Sequence, residues 1–479
     1  MAVLGRWSGG ATTLIPGTTF AAPNALFPTQ DRNDGSAYTF TSSTSVLTLP
    51  STDLANGYLM IARVHYGDTS NGRFSFAGRF QQTGGTGDFV NLQTGGYSRN
   101  TSDNETYLCA MGFVNNPSAS ATFAFQWERE SDAPTGGTVK SSLDVIPMFY
   151  SNHGIYNGSN LSLMGGTTRN VVPIGSTIAE SDTGAIERVT NVVTVKGDNK
   201  RYMVMSSQWY QNRGEPGTTR TQRIFGHDYD GSADLAAQSY AYYRQATADG
   251  TGGCIHDLIE TVTADRTIEM TCFRGLGISN GQGGADVDGQ APTQGVQALV
   301  VLELNDEAEV FRRHDATGLQ AFDAASPPHD LNALRTNDFT DSASWVVVGT
   351  VGMENNTGAA IDALTGANVW AASTDVTSGT RGTYEGRITV DGTEDGDIFH
   401  GNYIRGNQGG EDTFGLAFNP VGFVALADNG DLGVSVSQTG SLHAVDTQAD
   451  TVGMWGINLD TMEPAGVAEL SAQGMVVIH

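Results

Sequence analysis

Residues 58–64 read YLMIARV and predict a β-strand led by an aromatic residue. A Tyr-x-Arg follows at Tyr97 and Arg99, and residues 145–150 predict the strand that closes the unit. The same order of features recurs twice: residues 202–206, Tyr242 with Arg244 and residues 297–304, then residues 345–351, Tyr403 with Arg405 and residues 452–459. The tyrosines are 145 and 161 residues apart, which exceeds a solenoid repeat and matches a small domain. The pattern therefore predicts three tandem copies of one β-domain.

The spacing within the copies locates their boundaries. The opening strand precedes Tyr-x-Arg by 39, 40 and 58 residues, so the third copy needs an insertion. Residues 374–397 are rich in Gly, Thr and acidic residues, and we predict an enlarged loop there. The predicted segments are an N-terminal arm or anchor (1–23), copy one (24–156), a linker (157–173), copy two (174–305), a connector (306–334), copy three (335–464) and a strand-like C-terminal tail (465–479).

Composition favours β-structure throughout. The 479 residues include 61 Gly, which leaves little room for helix, and apolar and polar residues alternate along residues 121–127 as in a half-buried strand. Pairs such as Asp391-Gly392 and Asn429-Gly430 supply the positive φ angles of tight hairpins. We predict an all-β fold of tandem antiparallel β-sandwiches, jelly-roll-like, in three related copies.

The arm and the connector are the segments that depart from this pattern. Residues 307–314 and 319–325 of the connector are the chain's plausible helices, and Pro327-Pro328 interrupts them. The apolar arm either adds a strand to the first domain or anchors the chain on a partner subunit. No signal-peptide h-region is present in the arm and no window approaches 18 apolar residues, so neither export nor membrane insertion is predicted.

Charge excludes one class of partner. The net charge is −27, and residues 306–479 hold 25 acidic residues against six arginines and no lysine, which accounts for 19 of the excess negative charges. Such a surface repels nucleic acid, and no cluster of Lys and Arg interleaved with aromatic residues offsets it. We therefore predict no direct binding of nucleic acid.

Motifs for catalysis or metal binding are mostly absent. The chain has no Walker A loop, nucleophile elbow or His-Glu-x-x-His, and its three cysteines lack metal-binding or disulfide spacing. Asp286 and Asp288 in GQGGADVDG (281–289) are a weak match to a calcium loop that lacks the bidentate Glu. A second acidic cluster either binds a cation or is solvated: Asp391, Glu394, Asp395 and Asp397. Apart from calcium at Asp286 and Asp288, no cofactor is predicted.

Aromatic residues of the second copy raise the question of sugar binding. Trp209 and Tyr210, with Tyr240, Tyr242 and Tyr243, either form a platform that stacks on sugar rings or pack in the core. The Tyr-x-Arg pairs also have two interpretations. Residues two apart on a strand share a face, so each pair either clamps an incoming group or locks the edge of a sandwich, and recurrence favours the lock.

In overall style the chain resembles virion structural proteins of tailed phages and archaeal tailed viruses, of the head-decoration, spike and tail-appendage type. The resemblance rests on Gly- and Thr-rich tandem sandwiches, short apolar termini and missing catalytic motifs. It implies a non-enzymatic homo-oligomer of the virion, commonly a trimer, bound to other virion proteins and able to contact a host surface glycan. The alternative is a carbohydrate-binding or polysaccharide-depolymerising appendage protein, with a site near Trp209 or Asp286.

Overall fold

The structure is a computed structural model of the whole chain. It describes residues 3–50, 55–67, 73–99, 105–129, 136–159, 162–163, 170–181, 184–212, 220–231, 238–244, 250–261, 263–274, 287–289, 297–314, 321–322, 329–330, 339, 341–355, 360–361, 368–370, 381–405, 414–438 and 445–462.

The first set of strands builds two sheets around an apolar core. Its elements are β1 (Gly5–Gly9), β2 (Thr29–Asn33), a 3-10 turn (Asp34–Ser36), β3 (Thr39–Thr41), β4 (Val46–Thr48), β5 (Gly57–Gly67), β6 (Arg73–Gly84), β7 (Asp88–Leu92), β8 (Thr94–Arg99), β9 (Glu105–Asn115), β10 (Thr122–Arg129) and β11 (Gly137–Met148). One sheet has the order β1-β11-β5-β9, and the other has the order β4-β10-β6-β8. Short strands extend their edges.

The second set repeats this order of pairing. Its strands are β12 (Asn152–Gly158), β13 (Ser162–Leu163), β14 (Asn170–Val171), β15 (Ile174–Glu180), β16 (Ile186–Val189), β17 (Val192–Val195), β18 (Arg201–Asn212), β19 (Arg220–Tyr229), β20 (Gln238–Arg244), β21 (Gly250–Glu260), β22 (Arg266–Arg274), β23 (Val287–Gly289) and β24 (Gln297–Glu303). The orders are β12-β24-β18-β21 and β17-β22-β19-β20.

The third set pairs in the same way. Its elements are β25 (Val310–His314), β26 (Ala321–Phe322), β27 (His329–Asp330), β28 (Ala343–Asn355), β29 (Ala360–Ile361), β30 (Asn368–Trp370), β31 (Arg381–Val390), β32 (Thr393–Arg405), β33 (Phe414–Phe418), β34 (Val421–Leu426), β35 (Leu432–Gln438), β36 (Val445–Asn458) and a helix α1 (Leu459–Met462). The orders are β25-β36-β28 followed by β33 and β34, and β27-β35-β31-β32.

Eight strands in two antiparallel four-stranded sheets are the arrangement of a jelly roll, and the chain forms it three times. The predicted all-β fold of antiparallel sandwiches is confirmed. The recurring strand order is a property of the topology, whereas descent of the three sets from one copied unit stays a prediction.

Both faces of strand β5 are buried, which explains its unbroken apolar sequence. Tyr58, Met60 and Val64 face a cluster inside the first set, whereas Leu59 and Ile61 face a different cluster. Successive side chains of a strand point to opposite faces, so one strand serves two cores.

The second of these cores is shared by all three sets, and we call it the shared core. It includes residues of the three middle strands: Leu59 and Ile61 of β5, Met203 and Met205 of β18, and Val346 and Val348 of β28. Each fully buried side chain of this size contributes about 1.5–3 kcal/mol. The three jelly rolls therefore pack around common apolar contents, unlike a row of independent domains.

Contacts at the sheet edges run in a cycle around the shared core. Gly95 of β8 pairs with Gly252 of β21, which joins the first set to the second. The equivalent strand β20 of the second set contacts β33 of the third, and β32 of the third contacts β9 of the first. Head-to-tail contacts of one kind that return to their starting point form a closed ring.

Several boundary predictions need correction. Residues 310–314 form strand β25, paired with β36, and residues 321–322 form β26, so the helices predicted at 307–314 and 319–325 are wrong there. The predicted linker 157–173 contains the end of β12 and the strands β13 and β14. Residues 381–397 of the predicted loop belong to the β31–β32 hairpin, although its two-residue turn at Asp391-Gly392 is as predicted.

The N-terminal arm is a strand of the first set. Residues 5–9 form β1 between β11 and β2, and Leu4 and Trp7 are buried. Backbone pairing with β11 and β2 holds residues 5–9 of the arm within the first set. The C-terminal tail 465–479 lies outside the described residues. Among those that are described, no helix is long and apolar enough to cross a membrane.

Candidate functional site at the junction of the first and third sets

The junction between the first and third sets, which we call the seam, is built on a buried carboxylate. Asp144 of β11 accepts hydrogen bonds from Arg6 of β1 at 2.7 and 3.0 Å and from Arg63 of β5 at 2.6 Å. Register brings these groups together, because Arg6 lies opposite Asp144 on the neighbouring strand. Burial alone would raise the pKa of the Asp144 carboxyl, but the two guanidinium groups outweigh it and hold that pKa below its usual range.

The same two arginines reach across the seam to the third set. Arg63 donates to the carbonyl oxygens of Val421 and, at 3.1 Å, of Asp397. Arg6 donates to the carbonyl of Phe423 at 2.8 Å and to the carboxylate of Asp395 at 3.2 Å. The side chain of Arg63 is fully buried. Each guanidinium group thus joins the Asp144 carboxylate of the first set to backbone carbonyl oxygens of the third set.

A second charged centre lies further along the seam. Glu385 of β31 accepts a hydrogen bond from Tyr107 of β9 at 2.8 Å and pairs with Lys140 and Arg387. Burial opposes ionisation of Glu385, but its cationic neighbours, Lys140 first, keep the pKa below its usual range. His65 stacks on the Tyr107 ring at 4.3 Å between centroids. The third set therefore contributes the carboxylate, and the first set contributes most of its partners.

A cavity of about 390 Å³ opens where the seam reaches the surface. The ring of Phe423 forms one wall, with the guanidinium carbons of Arg6 and Arg32 lying 4.4 and 5.5 Å from its centroid. Burial raises the pKa of the Asp397 carboxyl, and Arg6 opposes this rise, whereas Asp395 is held in an ion pair with Arg6. The cavity therefore brings an aromatic face, cations and two unlike carboxyl groups together.

The acidic cluster of 391–397 has mostly protein partners. Glu394 pairs with Arg387 at 2.7 Å and accepts a hydrogen bond from Ser435, and Asp395 pairs with Arg6. Among the described residues, no group of three or more His, Cys, Asp or Glu side chains could hold a metal ion. Asp286 lies outside the described residues, and Asp288 is in strand β23, whose backbone pairs with β13 and β18.

The Tyr-x-Arg pairs occupy the same place in the three topologies. Tyr97 and Arg99 end β8, Tyr242 and Arg244 end β20, and Tyr403 and Arg405 end β32. In each case the arginine is in register with an arginine that begins the neighbouring strand: Arg73 with Arg99, Arg220 with Arg244, and Arg381 with Arg405. Tyr97 is buried. Whether the pairs lock the sheets stays a prediction.

Trp209 packs between sets and does not form a sugar platform. Its side chain is 1 % exposed and lies against Ala77 of the first set, with Phe20 beside it. A Cβ at position 95 would overlap its ring, which explains the glycine there. Gly401 is related to Tyr107 in the same way, since a Cβ there would lie 2.6 Å from Cδ2 of that ring. Glycine on one set accommodates an aromatic ring of the next.

The second set contains a chain of hydrogen bonds whose residue types, but not their accessibility, resemble those of a nucleophilic catalytic site. Ser206 Oγ lies 2.7 Å from Nε2 of His227, whose Nδ1 lies 3.2 Å from the hydroxyl of Tyr229, which donates to Asp257 at 2.7 Å. Ser206 and His227 are fully buried inside the sandwich, and burial lowers the pKa of His227 to about 3. No substrate can reach this serine, so we assign the chain of bonds to the core.

Sequence reasoning missed the residues of the seam. Arg63 is the one charge in YLMIARV, and Asp144 is the one charge in the apolar run LDVIPMF. A lone charge within a strand that is otherwise apolar needs a buried partner of opposite sign. That signal predicts a pair, although it does not say that the third set completes it.

No family model and no curated protein matches this chain. Among solved structures, a chain from the atomic structure of Sulfolobus turreted icosahedral virus aligns with 8% identity and a TM-score of 0.16, covering 94% of this chain and 91% of that one. A chain from the structure of infectious bursal disease virus, Gt strain, aligns with 10% identity and a TM-score of 0.18, covering 64% and 77%. At these TM-scores the likeness carries no inference about fold or function.

Proposed function

We propose that the chain is a non-enzymatic virion structural protein that decorates a capsid or forms a spike or fibre. The observation that supports this function is the shared core, where three jelly rolls bury the outer faces of their middle strands against each other. Because these faces are buried within the chain, the remaining outer surfaces of the three jelly rolls are the ones available to neighbouring proteins. Because one fold hosts many functions, the proposal needs its own test.

The partners proposed for this block are other copies of the chain and other virion proteins. The resemblance to virion proteins implied a trimer, whereas in the fold one chain already brings three jelly rolls around one core. Assembly would then use the perimeter of the ring. The acidic third set, which belongs to residues 306–479 with their excess of 19 negative charges, is our candidate for the outward surface that contacts a host glycan.

The proposal is tested by the state of the purified chain. We expect concentration-dependent assembly into regular sheets, shells or spikes, measured by sedimentation velocity and imaged by negative-stain electron microscopy. Binding of the chain to purified capsids would support the decorating role. A chain that stays monomeric at all concentrations and binds no capsid would contradict the proposal.

A second candidate function, cleavage or binding of polysaccharide, is favoured by the cavity at Phe423. Two carboxyl groups in different environments beside an aromatic ring are the components of a glycoside hydrolase site. Incubation with host surface polysaccharide separates the two candidates. Release of reducing ends that is lost in Asp397→Asn and retained in a control, Asp265→Asn, would establish the enzyme and overturn the structural role.

A further inference from the structure

The three junctions of the ring differ in how the chain crosses them. Strand β11 ends at Met148 and β12 begins at Asn152, so the first and second sets are joined directly. A connection of six residues, 304–309, runs between the second and third sets, so it is also short. In contrast, the first and third sets are separated by the whole second set in sequence. Only non-covalent contacts close the ring at the seam.

The chemistry of the seam also differs from that of the junction between the first and second sets. Across it run the buried contacts of Arg63 and Arg6 with backbone carbonyls and the contact of Tyr107 with Glu385. Where the first and second sets meet, the described contacts include the backbone pairing of Gly95 with Gly252, the Trp209 ring on Ala77, the Cys254 thiol on the carbonyl of Leu92 and the Asn115 amide beside His153, with no ion pair among them. Buried ion pairs require close geometry to offset their desolvation, whereas apolar contacts tolerate small shifts.

We infer that the seam is a latch: the ring opens between the first and third sets before any jelly roll unfolds, and Asp144 with its two arginines keeps the latch closed. When the seam separates, the carbonyls of Val421 and Phe423 and both guanidinium groups regain water, which lowers the cost of opening. The connections on either side of the second set remain intact. This inference rests on the fold and is independent of the proposed function.

Two native cysteines report on the opening. Cys109 of β9 lies in the shared core beside the seam and is 2 % exposed, whereas Cys272 of β22 lies inside the sandwich of the second set and is fully buried. An opened seam gives reagent access to Cys109 and leaves Cys272 covered. Burial raises the pKa of the Cys109 thiol to about 11, and the Asp144 carboxylate adds to that rise, so faster labelling in Asp144→Asn counts as opening only where Tyr107→Phe, which keeps that carboxylate, also labels faster at the same pH.

The test compares labelling rates of the two thiols in the full chain by peptide mass spectrometry. Asp144→Asn is expected to speed labelling of Cys109 at least tenfold and to leave Cys272 unchanged, with the exposed pair variant Asp265→Asn as control. Tyr107→Phe keeps the ring and removes the hydroxyl that donates to Glu385, so a smaller increase confined to Cys109 is expected. This milder variant keeps the test valid if Asp144→Asn fails to fold. Equal acceleration of both thiols, or no acceleration of Cys109 in either variant, would overturn the latch.

Discussion

At the scale of single residues, the stability of this protein depends on ionisable groups removed from water. His227, His256 and His400 are buried, and burial lowers their pKa values to about 3, 3 and 4. Nδ1 of His400 accepts a hydrogen bond from the backbone N–H of Asn419, which requires the neutral ring. Protonating these rings would place uncompensated charge in the core.

These histidines predict sensitivity to mild acid. Because the folded pKa lies below the unfolded value of about 6.5, the unfolded chain takes up protons first as the pH falls. Their contribution to the free energy of unfolding is complete well above pH 6.5 and decreases as the pH falls, to about 4 for His400 and about 3 for the other two; the loss at pH 5 is about 2 kcal/mol for each ring. Urea unfolding at several pH values measures it. His227→Gln should flatten the pH dependence between 6.5 and 5, and an unchanged slope in that variant would show that His227 titrates normally.

At the scale of elements, strand pairing overrides the preferences that the sequence shows locally. Residues 310–314 carry a helical pattern, yet they form β25 because β36 offers an antiparallel edge. The turn at Asp391-Gly392 was predictable, since it depends only on its own two residues. The seam was not, because Arg63 finds its partners in the third set, the carbonyls of Asp397 and Val421, 334 and 358 residues away in the chain. Local signals specify strands and turns, and long-range register specifies the candidate site.

The N-terminal strand gives a prediction at this scale. Deleting residues 1–23 removes β1, with the buried Trp7 and the ion pair of Arg6 with Asp144. The deletion would leave the edge of β11 exposed and Asp144 with one cation in place of two. We expect a lower melting temperature, measured by thermal scans, and increased aggregation, measured by light scattering. A deletion variant that melts like the full chain would show instead that the arm serves only as an external anchor.

At the scale of the whole molecule, the three sets are coupled through the shared core. If each jelly roll were independent, a substitution in one would change the unfolding of that one alone. Here the faces of β5, β18 and β28 that line the shared core contact common neighbours. A cavity opened on any one of these faces therefore destabilises all three sets. The ring of edge contacts strengthens this coupling, because each set supports the next.

Met203→Ala tests this coupling. Met203 of β18 is fully buried in the shared core, and its truncation is expected to cost about 2–5 kcal/mol. We expect one calorimetric transition that moves to lower temperature as a whole. The matched control is Val64→Ala, which opens a cavity on the face of β5 that belongs only to the first set. If Met203→Ala splits the transition so that the first and third sets melt at their original temperature, the sets are separate domains and the shared core does not couple them.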